Sequence, residues 1–140
     1  MSEVEIYNNL NNSLIATGLF FIGWSFLVWV AGRAVTIAIE NNAGIITKLV
    51  TTLFGLTAVW QFNNVLNFVP WNFAGAGHSL AILKNSGTEL SDRSEAFLDM
   101  TGSTAAEVPQ FSIIPSDPIV LIFILSALYL VVGRLWIGNK

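Results

Sequence analysis

The sequence predicts an all-α integral membrane protein with three transmembrane helices, arranged as an N-terminal helical hairpin plus a third span. An extracytoplasmic loop of about 45 residues is expected between spans two and three. Three observations predict this class. Only 11% of the 140 residues are charged and 54% are hydrophobic, whereas soluble domains carry about 25% charged residues to cover a wet surface. Three stretches are apolar for long enough to cross about 30 Å of hydrocarbon as helix. Turn and proline signals separate those stretches. The length sets one domain as the expectation, a single membrane domain over residues 1–140.

The first span is expected over residues 13–39, with Asn12 or Ser13 as its cap. Leu14 to Ala31 holds no charge, and Phe20, Phe21, Trp24, Phe26 and Trp29 make it aromatic. Arg33 comes next, where a guanidinium can reach the headgroups along its own aliphatic stem. The acidic start Met1-Ser2-Glu3-Val4-Glu5 does not read as the basic beginning of a secretory signal, so the segment is expected to be retained. Asn41-Asn42-Ala43-Gly44 is a turn signal short enough to make the first two spans an antiparallel hairpin.

The second span is expected over residues 45–69, ending at Pro70, which has no N–H to donate and biases Val69 away from helix. Residues 70–114 then read as the extracytoplasmic loop with short helical turns. They carry Glu89, Asp92, Glu95, Asp99 and Glu107, and Ala74-Gly75-Ala76-Gly77 reads as a flexible link. Ser91 is placed to start a short amphipathic helix, and Thr104 to Glu107 has capping-box spacing ahead of Pro109. The third span is expected over 118–137, with Asp117 as helix cap and Pro118 at the first helical position, where no N–H is needed. Arg33 and Lys48 flank the hairpin turn, and Arg134 and Lys140 flank the C-terminus. The excess of Lys and Arg on these flanks puts the C-terminus on the cytoplasmic side, with the N-terminus and long loop outside.

Four groups of residues are candidates for function. Gln61, Asn64 and Asn67 share a broad face of the second helix, where amides are costly unless paired. They either hydrogen-bond to neighbouring helices or line a wet opening. Thr47, Thr51 and Gly55 form a small-residue stripe that lets another backbone approach, within this chain or in a partner. Trp24 lies near mid-span and is read as a packing residue. Trp29, Arg33, Trp71, Arg134 and Trp136 are read as membrane-interface anchors. His78, the only histidine, is a weak metal candidate beside Glu89, Asp92 or Asp99 of the same loop; no second histidine or cysteine stands at metal-ligand spacing, so no metal site is expected.

The absence of a phosphate loop, a nucleophile elbow or a histidine dyad makes an enzyme acting alone unexpected, and no basic run points to nucleic acid. With no acid well inside a span, proton pumping is not expected either. The leading expectation is a non-catalytic accessory subunit of a larger membrane complex, of respiratory, photosynthetic or membrane monooxygenase type. Its partners would be other integral membrane subunits and the bilayer. No cofactor is expected, and bound lipid is. The alternative is a homo-oligomeric channel, holin-like pore or small transporter with the second-span amides lining the opening.

Overall fold

The computed structural model describes residues 1–137, and among these it contains helices and no strand. Lys140, which enters the charge count above, lies outside the described residues. The helices are α1 (Glu3–Glu40), α2 (Ile45–Asn85), α3 (Asp92–Thr101), α4 (Pro118–Leu128) and α5 (Arg134–Ile137). A π-helical turn, Tyr129–Gly133, joins the last two into one continuous helix, Pro118–Ile137. Three helices are long and apolar enough to cross a membrane: α1, α2 and Pro118–Ile137.

Two boundaries differ from expectation, each for a local physical reason. The first helix starts at Glu3 and not at Ser13. Ser2 and Glu5 form a capping box: the Ser2 N–H donates to Glu5 Oε2 (2.7 Å), and the Glu5 N–H donates to Ser2 Oγ (3.3 Å). These two bonds satisfy donors that an uncapped first turn leaves free. The second helix does not stop at Pro70 but runs on to Asn85. A proline inside a helix removes one N–H and costs about 3 kcal/mol, a sum that burial further along can offset. Ala76, Leu80 and Ala81 are buried beyond the proline and supply that compensation. The expected 70–114 loop is therefore shorter, starting at Ser86, and α3 interrupts it. The α1–α2 turn closes on Asn42, whose φ of 47° is one that asparagine tolerates better than most residues.

The chain divides into two compact units, one of Met1–Gly18 with Asn67–Ser112, the other of Leu19–Leu66 with the chain from Ile113. The first unit has its own core of Ile6, Leu10, Leu80, Leu90 and Leu98. Phe97 of α3 meets Tyr7 edge-on (5.9 Å) and stacks on Phe73 (5.9 Å). Ser91 caps α3 by accepting from the Ser94 N–H. Glu3 reinforces that cap: its carboxylate accepts from the Ser91 N–H (2.9 Å), the Ser91 hydroxyl (2.6 Å) and the Ser94 hydroxyl (2.5 Å). Glu3 stands ahead of the uncharged window that begins at Leu14. The Ser91 hydroxyl, then the Ser94 hydroxyl and the Ser91 N–H, hold its carboxyl below the usual carboxylate range. Thr104 and Glu107 keep only the capping contact, Glu107 N–H to Thr104 Oγ1 (3.3 Å), and no helix continues from it.

The Ala74–Gly77 segment is helix and not a flexible link. Gly77 is there for space: a Cβ would sit 2.5 Å from Thr101 Oγ1 and 2.6 Å from Ser103 Oγ. At Gly75 a Cβ would meet nothing within 4 Å. Gly77→Ala is expected to destabilise the chain by about 1–3 kcal/mol through overpacking. Gly75→Ala is expected to be neutral or stabilising by up to about 1 kcal/mol, as alanine is the better helix former. Thermal unfolding in mild detergent checks the pair, and equal midpoints for the two variants would contradict this packing.

Candidate functional site

The second unit is built on a seam of small and β-branched residues. Ala31 of α1, Ala58 and Val59 of α2, and Ala127 and Val131 of the third span are all buried together, with Phe62 and Ile124 filling the gaps. A second buried group, Val35, Ala38 and Leu135, continues the seam. Alanines at such positions let backbones approach closely, which is what holds helices together where lipid is as apolar as the side chains.

The small-residue stripe divides along its length. Thr47 is exposed, Thr51 is buried, and Gly55 lies against the π-helical turn. A Cβ at Gly55 would come within 3.2 Å of Val131 Cβ and of the Val131 carbonyl oxygen. At Gly55 the stripe therefore serves packing within this chain. Trp24 packs against the same buried cluster.

The amides of α2 are engaged inside the chain. Asn64 Nδ2 donates to Gln61 Oε1 (3.0 Å), one turn away on the same helix. Asn67 is buried within the first unit. Asn63, which the i, i+3, i+6 spacing passes over, is the long-range tie. Its Nδ2 donates to the Ile113 carbonyl (2.8 Å), fastening α2 to the segment that leads into the third span. The sequence signal was an asparagine beside Phe62 and Val65, both of which are buried. An amide set among buried neighbours has to find a partner.

Beside this tie is a groove of about 600 Å³, lined by Leu56, Trp60, Gln61, Asn63, Ile114 and Leu128 among others, none ionisable. Its largely apolar walls suit a hydrocarbon chain.

The anchor residues are individually placed. Trp136 Nε1 donates to Thr52 Oγ1 (2.9 Å), and Lys48 Nζ lies 5.9 Å from the centre of that indole. Arg134 donates to Thr36 Oγ1 (3.4 Å). Trp71 Nε1 donates to the Pro109 carbonyl (3.3 Å) and meets Phe111 edge-on. Trp29 is exposed and stacks on Phe26 with ring centres 5.7 Å apart. Arg33 is exposed as well. Asp117 caps α4, accepting from the Ile119 N–H (2.8 Å) with Pro118 at the first helical position. His78 Nδ1 bonds to the Thr104 carbonyl (2.7 Å), which requires the proton on Nδ1. No group of three His, Asp or Glu side chains converges among the described residues.

Replacing Asn63 by leucine removes the donor to Ile113 and is expected to cost about 1–3 kcal/mol. Asn64→Leu removes only a contact within one helix turn, worth about 0.2–0.5 kcal/mol. Unfolding of both variants in the same detergent checks the order, and a larger loss for Asn64→Leu would show that the tie is misassigned. Compared with known proteins, the chain matches no family model, no curated protein and no solved structure.

Proposed function

We propose that this chain is a non-catalytic accessory subunit of a larger membrane complex, of respiratory, photosynthetic or membrane monooxygenase type. It would stabilise that complex by helix packing and by docking of its folded polar unit. The observation that carries this reading is the outward aromatic face of α1. Phe26 and Trp29 share that face, are 60% and 65% exposed, and stack with ring centres 5.7 Å apart. Large rings of few rotamers give contact area at low entropic cost, which suits a partner helix. The first unit supports the docking part, because its core and the Glu3–Ser91–Ser94 network order a segment that a mere tether would leave loose. Against the pore reading, the Asn64 amide is engaged with Gln61 on the same helix.

Extraction of the native membrane in mild detergent, followed by native electrophoresis and mass spectrometry of the band, tests the proposal. Migration with larger, different polypeptides in fixed ratio is expected. Migration alone or as a homo-oligomer would refute it.

The proposed orientation puts the N-terminus and residues 86–117 outside and the C-terminus in the cytoplasm, in line with the Lys and Arg on the short flanks. The chain has no cysteine, so single-cysteine labelling has no background. Glu89→Cys is expected to react with an impermeant maleimide in intact cells, and Asn41→Cys only after permeabilisation. The reverse pattern would invert the orientation.

A further inference from the structure

α1 and the third span enclose a second groove of about 440 Å³ in the same unit as the seam. α1 contributes Trp29, Gly32, Arg33 and Thr36, positions that share one helix face. The third span contributes Phe123, Leu130 and Arg134 among others. A Cβ at Gly32 would meet nothing within 4 Å, so that position leaves open room in the groove. The lining is apolar around Phe123 and Leu130 and cationic at Arg33 and Arg134.

Two features make that cationic end a built site. Arg134 is positioned on both sides: its side chain donates to Thr36 Oγ1, and its backbone N–H reaches back to the Tyr129 carbonyl across the π-helical turn. The extra residue of a π turn rotates the next helical segment by roughly 100° relative to an unbroken α-helix. The turn therefore sets the side of the helix on which Arg134 emerges. Thr36 is itself fixed, donating to the Gly32 carbonyl (3.1 Å). Secondly, neither arginine has a carboxylate partner, since the single ion pair among the described residues is Lys84–Glu95, in the other unit. The acid next along α1 is Glu40, two turns beyond Arg33, and Lys48 stands on the adjoining helix α2.

We infer that this groove binds an anionic phospholipid, its phosphate held between Arg33 and Arg134 and one acyl chain lying along Phe123 and Leu130. Guanidinium groups match phosphate oxygens in a two-pronged geometry, and paired cations at a span end attract anionic headgroups. The inference rests on the chain crossing a membrane and is independent of any partner subunit.

Native mass spectrometry of the full chain, purified in mild detergent and supplied with dioleoylphosphatidylglycerol or dioleoylphosphatidylcholine, tests it. The wild type is expected to retain the phosphatidylglycerol adduct at collision energies that strip phosphatidylcholine. The double variant Arg33→Gln/Arg134→Gln is expected to weaken phosphatidylglycerol retention about tenfold or more, as loss of hydrogen bonds to a charged group implies. Lys48→Gln is expected to leave it unchanged. Far-UV helicity reports whether the double variant still folds. If it does not, the wild-type comparison of the two lipids stands by itself. Equal retention of both lipids, or wild-type retention by a folded double variant, would overturn the inference.

Discussion

A peptide group in hydrocarbon has no water to bond to, and this constraint governs nearly everything else in the chain. It makes helix the only economical backbone for the apolar stretches. It also governs the small polar side chains on those helices. The hydroxyls of Ser25, Thr36, Thr52 and Ser126 all donate to the carbonyl four residues back on their own helix. Such bonds satisfy the hydroxyl without calling on a neighbour. Among the described residues no buried side-chain nitrogen or oxygen lacks a partner.

With polarity satisfied locally, cohesion between helices has to come from fit. Lipid tails compete on equal terms for leucine or phenylalanine, so bulk apolarity does not select one helix packing over another. Close approach does. Ala31, Ala58, Ala127 and Gly55 keep the seam thin, and Val131 fills the place that Gly55 leaves. Packing at Gly55 and the emergence of Arg134 both depend on the π-helical turn: Val131 lies within it, and Arg134 comes directly after.

In the first unit a different balance applies. Its charges and hydroxyls carry the specificity, and its small core carries the cohesion. Glu3 is 91 positions in sequence from Ser94 and accepts from both Ser91 and Ser94. A helix that begins at its own capping box thus ends up supporting the cap of another. Lys84 and Glu95 bridge α2 and α3 at the surface, where an exposed pair contributes little to stability.

The features legible in the sequence are those set by neighbours in the chain. Three apolar stretches, the Asn41–Gly44 turn, the Asp117-Pro118 start and the Ser91 cap each follow from charge, length or capping chemistry within a few residues. The Ser2–Glu5 box is equally local, and its spacing is the signal that marks the start of α1. Other features depend on partners tens of residues away, which no local pattern encodes. Pro70 ends a helix by propensity, yet α2 continues because Leu80 and its neighbours find a core built from α1 and α3. Gly77 reads as flexibility until Thr101 and Ser103 come against it. Asn63 is one amide among four until Ile113 supplies its acceptor, and Arg33 and Arg134 meet at one groove only once α1 and the third span pack. Local propensity is settled by a few tenths of a kcal/mol per residue, whereas burial and close approach act in whole kcal/mol and act only between segments the fold has already brought together.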